Sequence, residues 1–246
     1  MEPKTPDGRA PDRTLDAYNA IAPVYGEYSK NRQAYLDAVD NLVIGRLRAE
    51  MRLLDVGAGD GRRLEKIRST VGLSDFVAVE PSPGMAQICH ERTGAKVHQV
   101  FAEKLGELDI GSFDAITALW NVFGHISSEG RPPAMANLAA KLRPGGHIML
   151  DVNNRHNAIA YGSLKVLGRV IVDRVAFEEG RGDASYEWKI GDQSFKASGH
   201  LFTPDEIETL IKGAGLKIRE RLSVNYATGT ASKSKYRGQL FYILSR

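Results

Sequence analysis

The sequence predicts an α/β protein with a doubly wound, mostly parallel, Rossmann-like sheet. Short apolar runs alternate with helix-compatible stretches through most of the chain, which is the order that gives βαβ units. One of these runs, Leu53–Val56, is followed at once by a glycine-rich loop and then by a helical stretch from Arg62. The next apolar run, Phe76–Val79, ends in the acid Glu80. Strand, glycine loop, helix and strand-end acid, in that order, are typical of a nucleotide-binding unit.

The glycine loop carries the first functional signal. Gly57, Gly59 and Gly61 have no Cβ, so the backbone can turn sharply and a ligand can lie against it. The spacing departs from the dinucleotide fingerprint, because Arg62 stands where its last glycine is expected. Glu80 follows Gly61 by 19 residues, about where βαβ folds place the carboxylate that binds ribose hydroxyls. A structural glycine turn beside a solvated acid is the alternative interpretation.

Three motifs together carry a family resemblance: Asp55-x-Gly57-x-Gly59-x-Gly61, Glu80 at the end of the next strand, and Arg143-Pro144-Gly145-Gly146 before a later apolar strand. With them the chain resembles a class I S-adenosylmethionine-dependent methyltransferase of the small-molecule type, similar to glycine N-methyltransferase. The resemblance covers residues 17–155 well and residues 201–246 loosely. It implies a seven-stranded sheet with one antiparallel strand, the last. It also implies S-adenosylmethionine as the cofactor, with the glycine loop against its methionine end.

The N-terminal region supplies two further candidates for the cofactor site. Tyr25 and Arg32 are seven residues apart, the spacing with which relatives of glycine N-methyltransferase hold the methionine carboxylate. The forked donors of a guanidinium suit both oxygens of a carboxylate. Tyr18, Ile21, Tyr25 and Tyr28 fall on one helical face, which predicts either a lid over the cofactor or a helix packed on the sheet.

The resemblance extends the cofactor site along the carboxyl ends of the strands. At residues 101–103 relatives often carry Asp-Ala-Glu, and Phe101 replaces the Asp that contacts adenine. Pro81 and Met85 are expected near the ribose and adenine, with a helix-start turn and a core methionine as the alternative. The predicted cofactor-binding residues are Tyr25, Arg32, Asp55, Gly57, Ala58, Gly59, Gly61, Glu80, Pro81, Met85, Ala102, Glu103 and Leu119.

The loop Leu119–Ile126 follows the fourth predicted strand, where open α/β sheets place their ligands. Relatives of glycine N-methyltransferase carry a similar stretch, with a histidine six residues after the leucine, as His125 follows Leu119. His125 is the catalytic candidate, as a base or an anchor, and a structural histidine is the alternative. The predicted acceptor-binding residues are Tyr18, Trp120, Asn121, Phe123, Asn153 and Arg155, although Trp120 and Phe123 also suit core packing.

The predicted domain organisation is a flexible tail over residues 1–16 and one methyltransferase domain over residues 17–246. Within it we expect an N-terminal lid over residues 17–48 and a substrate-cap insertion over about residues 157–200. In the insertion, Val170–Val172 and Tyr186–Ile190 are predicted as strands or as a mixed cap, and Gly180–Asp183 as a turn. Such an insertion suits acceptor specificity, because loops tolerate change while the sheet holds the cofactor.

Composition narrows the class of protein further. The 246 residues suit one domain with an insertion, and no run approaches the roughly 20 apolar residues of a membrane helix. The net charge of +3 is spread without long basic blocks, which argues against nucleic acid as the main partner. Cys89 is the single cysteine, which excludes an internal disulfide and a cysteine-based zinc site, and no metal is predicted. The expected compartment is the cytoplasm.

The predicted reaction is methyl transfer from the sulfonium of the cofactor to a nitrogen, oxygen or carbon of a small molecule. The enzyme's main task would be to align the reacting atoms and exclude water. The sequence lacks the Asn-Pro-Pro-Tyr or Asp-Pro-Pro-Tyr motif and the Pro-Cys pair of DNA methyltransferases. Three alternatives stay open: a tRNA or rRNA methyltransferase, a nicotinamide-dependent oxidoreductase, and a cofactor-binding protein without catalysis.

Overall fold

The described part of the chain folds around a central sheet of eight strands, with a separate two-stranded hairpin. The computed structural model describes residues 13–26, 32–190 and 193–246. Its strands are β1 (Leu53–Val56), β2 (Phe76–Val79), β3 (Lys96–His98), β4 (Phe113–Ala118), β5 (Leu142–Val152), β6 (Asp183–Ile190), β7 (Gln193–His200), β8 (Lys217–Val224), β9 (Ala231–Ser232) and β10 (Gln239–Ser245).

The order of strands in the central sheet is β3-β2-β1-β4-β5-β10-β8-β9. Strands β1 to β5 pair in parallel, and β10 is antiparallel to both of its neighbours, β5 and β8. The predicted doubly wound sheet with an antiparallel last strand is therefore confirmed. The prediction of seven strands misses only β9, a two-residue strand antiparallel to β8 at the edge.

Helices cover both faces of the sheet, as a parallel sheet requires. They are α1 (Arg13–Ile21), α2 (Gln33–Ile44), α3 (Arg62–Val71), α4 (Pro83–Thr93), α5 (Arg131–Lys141), α6 (Ala158–Tyr161), α7 (Ser163–Val175) and α8 (Pro204–Gly213). Apolar side chains of α5 and α8 pack on one face, and those of α2, α3 and α4 on the other. Among the described residues, no helix combines the length and the apolar character that a membrane span needs.

The N-terminal region differs from the expected tail and lid in its boundaries. Helix α1 begins at Arg13, so residues 13–16 are helical rather than part of a tail. Residues 1–12 and Tyr28 lie outside the described residues. Helix α1 continues into a 3-10 turn that contains Pro23, and α2 begins at Gln33. The buried side chains of α1 pack against α4 and against β7, which places this helix beside the inserted hairpin.

The insertion contains two helices and a hairpin. The strand predicted at Val170–Val172 is wrong, because these residues lie inside α7. The β-branched run suggested a strand, but Val166 and Asp173, two helical turns apart, form the buried side of a helix. The strand predicted at Tyr186–Ile190 is confirmed within β6, which pairs antiparallel with β7. A 3-10 turn at Glu179–Gly182 stands where a turn was predicted.

The third glycine of the loop, Gly61, meets α4 at close range. It precedes α3 with a φ of +76°, in the left-handed region that favours glycine. A Cβ at Gly61 would lie 2.9 Å from the Sγ of Cys89 and 3.0 Å from its Cα. Because one of these contacts is with backbone, α4 would have to shift to admit a side chain. The close approach of α4 therefore requires glycine at this position.

We expect Gly61→Ala to destabilise the protein more than Gly94→Ala. Both glycines have positive φ, and a Cβ at Gly94 meets nothing within 4 Å. Left-handed strain of about 1–2 kcal/mol applies to both variants, whereas overpacking of roughly 1–3 kcal/mol applies to Gly61→Ala alone. Urea unfolding followed by circular dichroism measures both free energies of unfolding. Equal losses in the two variants would contradict the close-approach explanation.

Candidate active site

A crevice opens at the carboxyl ends of β1, β2, β3 and β4. One wall is the glycine loop and Glu80, and helix α1 and the loop after β4 face it. The lining residues are Leu15, Tyr18, Tyr25, Val56, Gly57, Gly59, Val79, Glu80, Pro81, Val100, Phe101, Ala102, Glu103, Leu119, Trp120, Val122, His125 and Ile126. Its position at the strand ends is that of a small-molecule site in an open α/β sheet.

Glu80 is the buried acid of this crevice, with 7% of its surface exposed. Its Oε2 accepts a hydrogen bond from the backbone N–H of Gly59 at 2.8 Å. Its Oε1 accepts one from the N–H of Ser82 at 2.9 Å. Burial raises the pKa of Glu80 to about 7, although these two bonds act in the opposite direction. Each carboxylate oxygen keeps a further lone pair, which can accept from a ligand hydroxyl.

Two glycines keep the opposite side of the loop open. Gly57 and Gly59 have φ values of +72° and +57°. A Cβ at Gly57 would lie 2.5 Å from Cγ2 of Val122, so the loop and the turn after β4 approach each other closely. A Cβ at Gly59 would point toward Tyr25, whose Cε1 lies 3.9 Å away. The space between Gly59 and Tyr25 is therefore preserved by the absence of a side chain.

A row of aromatic rings closes the crevice on the side of α1. The ring centroids of Tyr18 and Tyr25 are 6.2 Å apart, and those of Tyr25 and Trp120 are also 6.2 Å apart. The guanidinium carbon of Arg32 lies 5.9 Å from the Trp120 ring centroid and 5.2 Å from that of Tyr226. Arg32 is not among the lining residues, but this contact places it directly behind the Trp120 wall.

His125 joins α1 to the inserted hairpin at the end of the crevice. Its Nδ1 lies 3.1 Å from the carbonyl oxygen of Ser198 in β7, and its Nε2 lies 3.1 Å from the hydroxyl of Tyr18. A carbonyl only accepts, so the proton of the neutral ring is assigned to Nδ1. Nε2 then accepts from the Tyr18 hydroxyl. Tyr186 adds a hydroxyl that donates to the same Ser198 carbonyl at 3.2 Å.

The turn that carries Trp120 is held in an unusual backbone conformation. Trp120 and Asn121 have φ values of +67° and +59°, which are rare for residues other than glycine. The N–H of Asn121 donates to Oδ1 of Asp151 at 2.8 Å, and its side-chain oxygen accepts from the N–H of Asn153 at 2.8 Å. The hydroxyl of Tyr35 donates to Oδ2 of Asp151 at 2.6 Å. Asp151 thereby fixes the direction in which Trp120 projects.

Eleven of the residues predicted for the site line the crevice: Tyr18, Tyr25, Gly57, Gly59, Glu80, Pro81, Ala102, Glu103, Leu119, Trp120 and His125. Ala58 lines a neighbouring cavity that shares Tyr25, Gly57 and Trp120 with the crevice. The structure therefore brings together residues that are far apart in the sequence, from the N-terminal region, the glycine loop and the loop after β4.

Three of the predicted cofactor residues lie behind the crevice rather than in it. Asp55 is buried and accepts a hydrogen bond from the hydroxyl of Thr117 at 2.7 Å. Burial raises its pKa to about 6. Met85 is fully buried in the cluster formed by α1, α4 and β7. Gly61 meets α4, as described above. These residues shape the walls but do not border the open space.

Four of the predicted acceptor residues are likewise outside the crevice lining. Phe123 is fully buried in the core beneath α5, and the side-chain oxygen of Asn121 accepts a hydrogen bond from the backbone N–H of Asn153. The side chain of Asn153 accepts from the hydroxyl of Tyr226 at 2.9 Å. Arg155 turns toward α7, where its Nε donates to Oδ2 of Asp173 at 2.9 Å. Each side chain is directed by a partner that the local sequence does not reveal.

Sequence reasoning missed several residues that the structure assigns to the site. Phe101 lines the crevice in the position of the expected acid, and Leu15, Val100, Val122 and Ile126 add apolar surface. Asp151 was also missed. A signal for it was present, because it is an acid in the otherwise apolar run from Ile148 to Val152 of β5. A fully buried acid in a strand needs partners, and here they are the hydroxyl of Tyr35 and the backbone of the turn that carries Trp120.

The residues present fit S-adenosylmethionine. The Glu80 carboxylate suits a pair of ribose hydroxyls, and its orientation is fixed by the backbone of the glycine loop. Apolar side chains beside it, such as Pro81 and Phe101, suit the faces of a purine. The backbone at Gly59 carries no side chain, so it suits a ligand chain that lies directly against it. The apolar side chains, the Glu80 carboxylate and the bare glycine backbone thus suit the base, the ribose and the amino-acid tail, with the ribose in the middle.

Comparison with known proteins agrees with this geometry. The family model described as "Methyltransferase domain" matches residues 28–221. CcbJ, a methyltransferase from Streptomyces caelestis, shares 16% identity and a TM-score of 0.67 over 94% of this chain and 98% of its own. CalS10 from Micromonospora echinaspora, an amino pentose methyltransferase, shares 19% identity and a TM-score of 0.62 over 91% of this chain and 96% of its own.

A third solved structure is an S-adenosylmethionine-dependent methyltransferase from Clostridium acetobutylicum. It shares 15% identity and a TM-score of 0.62 over 93% of this chain and 98% of its own. At these identities the likenesses show a common fold. No curated protein matches the sequence significantly.

We expect the affinity for S-adenosylhomocysteine to fall as the pH drops below about 7, the raised pKa of Glu80. Ribose hydroxyls bind the carboxylate better than the carboxylic acid, so binding lowers this pKa and releases a proton. Calorimetric titrations between about pH 5.5 and 8, in buffers of different ionisation heat, measure both effects.

Glu80→Gln is the matched control, because it should flatten the dependence on pH. In the absence of ligand the sign reverses: the native state holds the proton more tightly, so the contribution of Glu80 to stability falls as pH rises from 4.5 to about 7. Equal affinity of the wild-type protein for S-adenosylhomocysteine at all pH values would contradict the assignment of Glu80 to the ribose site.

Proposed function

The chain belongs to the methyltransferase-domain family and transfers methyl groups from S-adenosylmethionine, and we propose that its acceptor is a nitrogen or oxygen atom of a polar small molecule. The observation that carries the proposal is the pair Tyr18 and His125, which lines the crevice and is joined by a hydrogen bond of 3.1 Å. A hydroxyl and an imidazole at this place can position an N–H or O–H group and take its proton.

The space beyond His125 supports a polar acceptor. A wide cleft adjoins the crevice and shares Phe101, Glu103, His125 and Ile126 with it. Its other lining residues are mainly hydroxyl, charged and glycine residues of the loop before α5 and of the inserted hairpin. The cleft thus connects the proposed methyl-transfer point to solvent between the sheet and the hairpin. This supports the insertion as the acceptor side of the domain and α1 as its lid.

The chemistry follows from this arrangement. When bound, S-adenosylmethionine supplies a methyl group on a sulfonium sulfur, which is already a strong electrophile. Glu80 and the glycine loop orient the ribose and the tail, and Tyr25 and Trp120 screen the space from water. The Tyr18 oxygen takes a proton from the acceptor as its own proton moves to Nε2 of His125. The Ser198 carbonyl holds the opposite side of the ring in the required tautomer.

Comparison with solved structures favours a small molecule over RNA. CalS10 is an amino pentose methyltransferase in calicheamicin biosynthesis. The net charge of +3 and the narrow crevice also suit a small acceptor better than a nucleic acid.

The test of the proposed function is an acceptor screen with methyl-labelled S-adenosylmethionine. We expect label to enter small polar amines or hydroxyl compounds from a metabolite extract, because the crevice admits only part of a small molecule beside the cofactor. Mass spectrometry identifies the product. Total RNA is the parallel substrate, and label in RNA alone would overturn the small-molecule proposal. Stabilisation by NADH and not by S-adenosylhomocysteine would overturn the cofactor assignment.

We expect His125→Gln to lower kcat by about 10²–10⁴-fold if His125 receives the proton of Tyr18 as Tyr18 takes that of the acceptor, and Tyr18→Phe to lower it similarly. Both variants break the same hydrogen bond, so the double variant should be little worse than either single one. Steady-state kinetics with the acceptor from the screen measures this. A rise in KM at constant kcat would instead indicate an anchor.

His90→Gln is the control, because His90 lies on α4 and outside the crevice lining. It should leave both constants unchanged. If His125→Gln and Tyr18→Phe also leave them unchanged, the pair is structural and the acceptor site lies elsewhere.

A further inference from the structure

The large apolar side chains that are strongly exposed in the described chain are confined to residues 159–177. Their exposed fractions range from 46% at Val172 to 87% at Leu164. They are Ile159, Leu164, Leu167, Ile171, Val172, Val175 and Phe177. Single exposed apolar residues are ordinary, but a contiguous group marks an interaction surface. Most of this group belongs to one helix, α7.

The orientation of α7 is fixed by contacts on its other side. Val166 and Asp173 are its buried residues. The carboxylate of Asp173 accepts a hydrogen bond from Nε of Arg155 at 2.9 Å and another from Nε2 of His156 at 2.8 Å. Arg169 donates to the carbonyl oxygen of Arg155 at 2.9 Å. These polar contacts anchor the buried side of the helix. The helix therefore cannot rotate about its axis to bury its apolar side within its own chain.

The outward residues of α7 follow a symmetric pattern. Apart from the polar Ser163, Lys165 and Arg174, they are Leu164, Leu167, Gly168, Ile171, Val172 and Val175, and we call these six the α7 face. Reversal of the helix about the midpoint between residues 169 and 170 exchanges positions 164 with 175, 167 with 172, and 168 with 171. The set therefore maps onto itself. Two helices that pack antiparallel about a two-fold axis place related positions opposite one another in this way.

We propose that the α7 face is the interface between two copies of this chain, in which the α7 helices pack antiparallel about a two-fold axis near Gly168 and Ile171. Leu164 then faces Val175 of the second copy, and Leu167 faces Val172. Every contact across the axis is apolar and is made twice, as an isologous interface requires.

Gly168 supports a close helix pair. It is exposed in the middle of α7, and a Cβ there would meet nothing within 4 Å. A mid-helix glycine is less favourable than alanine by about 1 kcal/mol, and no contact within the described chain requires it. At the centre of an antiparallel pair it leaves room for Ile171 of the second copy. The glycine is thus explained by the partner and not by its own chain.

The apolar side chains of the α7 face supply more than half of the area that a standard dimer interface needs. If a fully exposed large apolar residue presents roughly 150 Å², Leu164, Leu167, Ile171, Val172 and Val175 together present on the order of 500 Å². A standard interface buries about 800 Å² on each partner. Lys165 and Arg174 flank the α7 face, as on helices that bind anionic membranes. A membrane gives no reason for a two-fold pattern.

Sedimentation of the full chain tests the proposal. We expect the sedimenting species to have twice the 27.0 kDa mass of one chain. Chain concentrations from about 1 to about 100 µM are suitable, because they cover the weaker dissociation constants of interfaces of this area. Ile171→Glu should sediment as a single chain with unchanged circular dichroism and S-adenosylhomocysteine binding. Ser69→Glu adds the same charge to an exposed position on α3 and should keep the dimer. A single-chain mass for the wild type, or a dimer of Ile171→Glu, overturns the proposal.

Crosslinking tests the geometry separately. Cys89 is buried, so Ile171→Cys carries one accessible thiol. A short bis-maleimide should join two Ile171→Cys chains, because position 171 faces position 168 of the second copy and so lies about one helical turn from the second position 171. Thr70→Cys, at an exposed position on α3, is the control and should not crosslink. Equal crosslinking of both variants overturns the arrangement. Binding of wild-type chain, but not of Ile171→Glu, to anionic phospholipid vesicles would assign the face to a membrane instead.

Discussion

The buried carboxylate of Asp151 is the interaction on which the arrangement of the crevice depends. It sits in β5, at the centre of the sheet, with no exposed surface. It accepts from the backbone of Asn121 on one side and from the hydroxyl of Tyr35 in α2 on the other. Burial raises the pKa of this carboxyl, and the nearby charge of Arg63 opposes the rise. One acid thereby joins the sheet, the second helix and the turn that carries Trp120.

Glu80 has a comparable double role on the other wall. Its two oxygens accept from the N–H groups of Gly59 and Ser82, so the acid helps to hold the glycine loop and the start of α4 together. The same oxygens face the crevice. Preorganised groups of this kind bind a ligand without a further loss of conformational freedom. The raised pKa of Glu80 reflects its burial in that position.

The sequence was sufficient for features that local chemistry determines. The strand before the glycines, the acid at the end of β2 and the antiparallel last strand follow from short patterns or from the family resemblance. The strand prediction for Val170–Val172 was wrong because a β-branched run favours a strand locally, whereas Asp173 is held by Arg155 and His156. The prediction that Phe123 and Asn121 line the acceptor site could not foresee the left-handed turn at residues 120 and 121, which decides which neighbour faces inward. That turn depends on Asp151, 30 residues further along the chain.

The double attachment of His125 has a consequence for the exchange of ligands. Its ring is bonded to Tyr18 on the N-terminal helix and to Ser198 on the inserted hairpin. Movement of either element away from the sheet breaks a bond to the same ring and exposes the crevice from that side. Binding and release of ligands are therefore expected to require the loss of hydrogen bonds to the same His125 ring. Helix α1 and the inserted hairpin, which are far apart in the sequence, would then move away from the sheet together, and used cofactor and product would leave in the same opening.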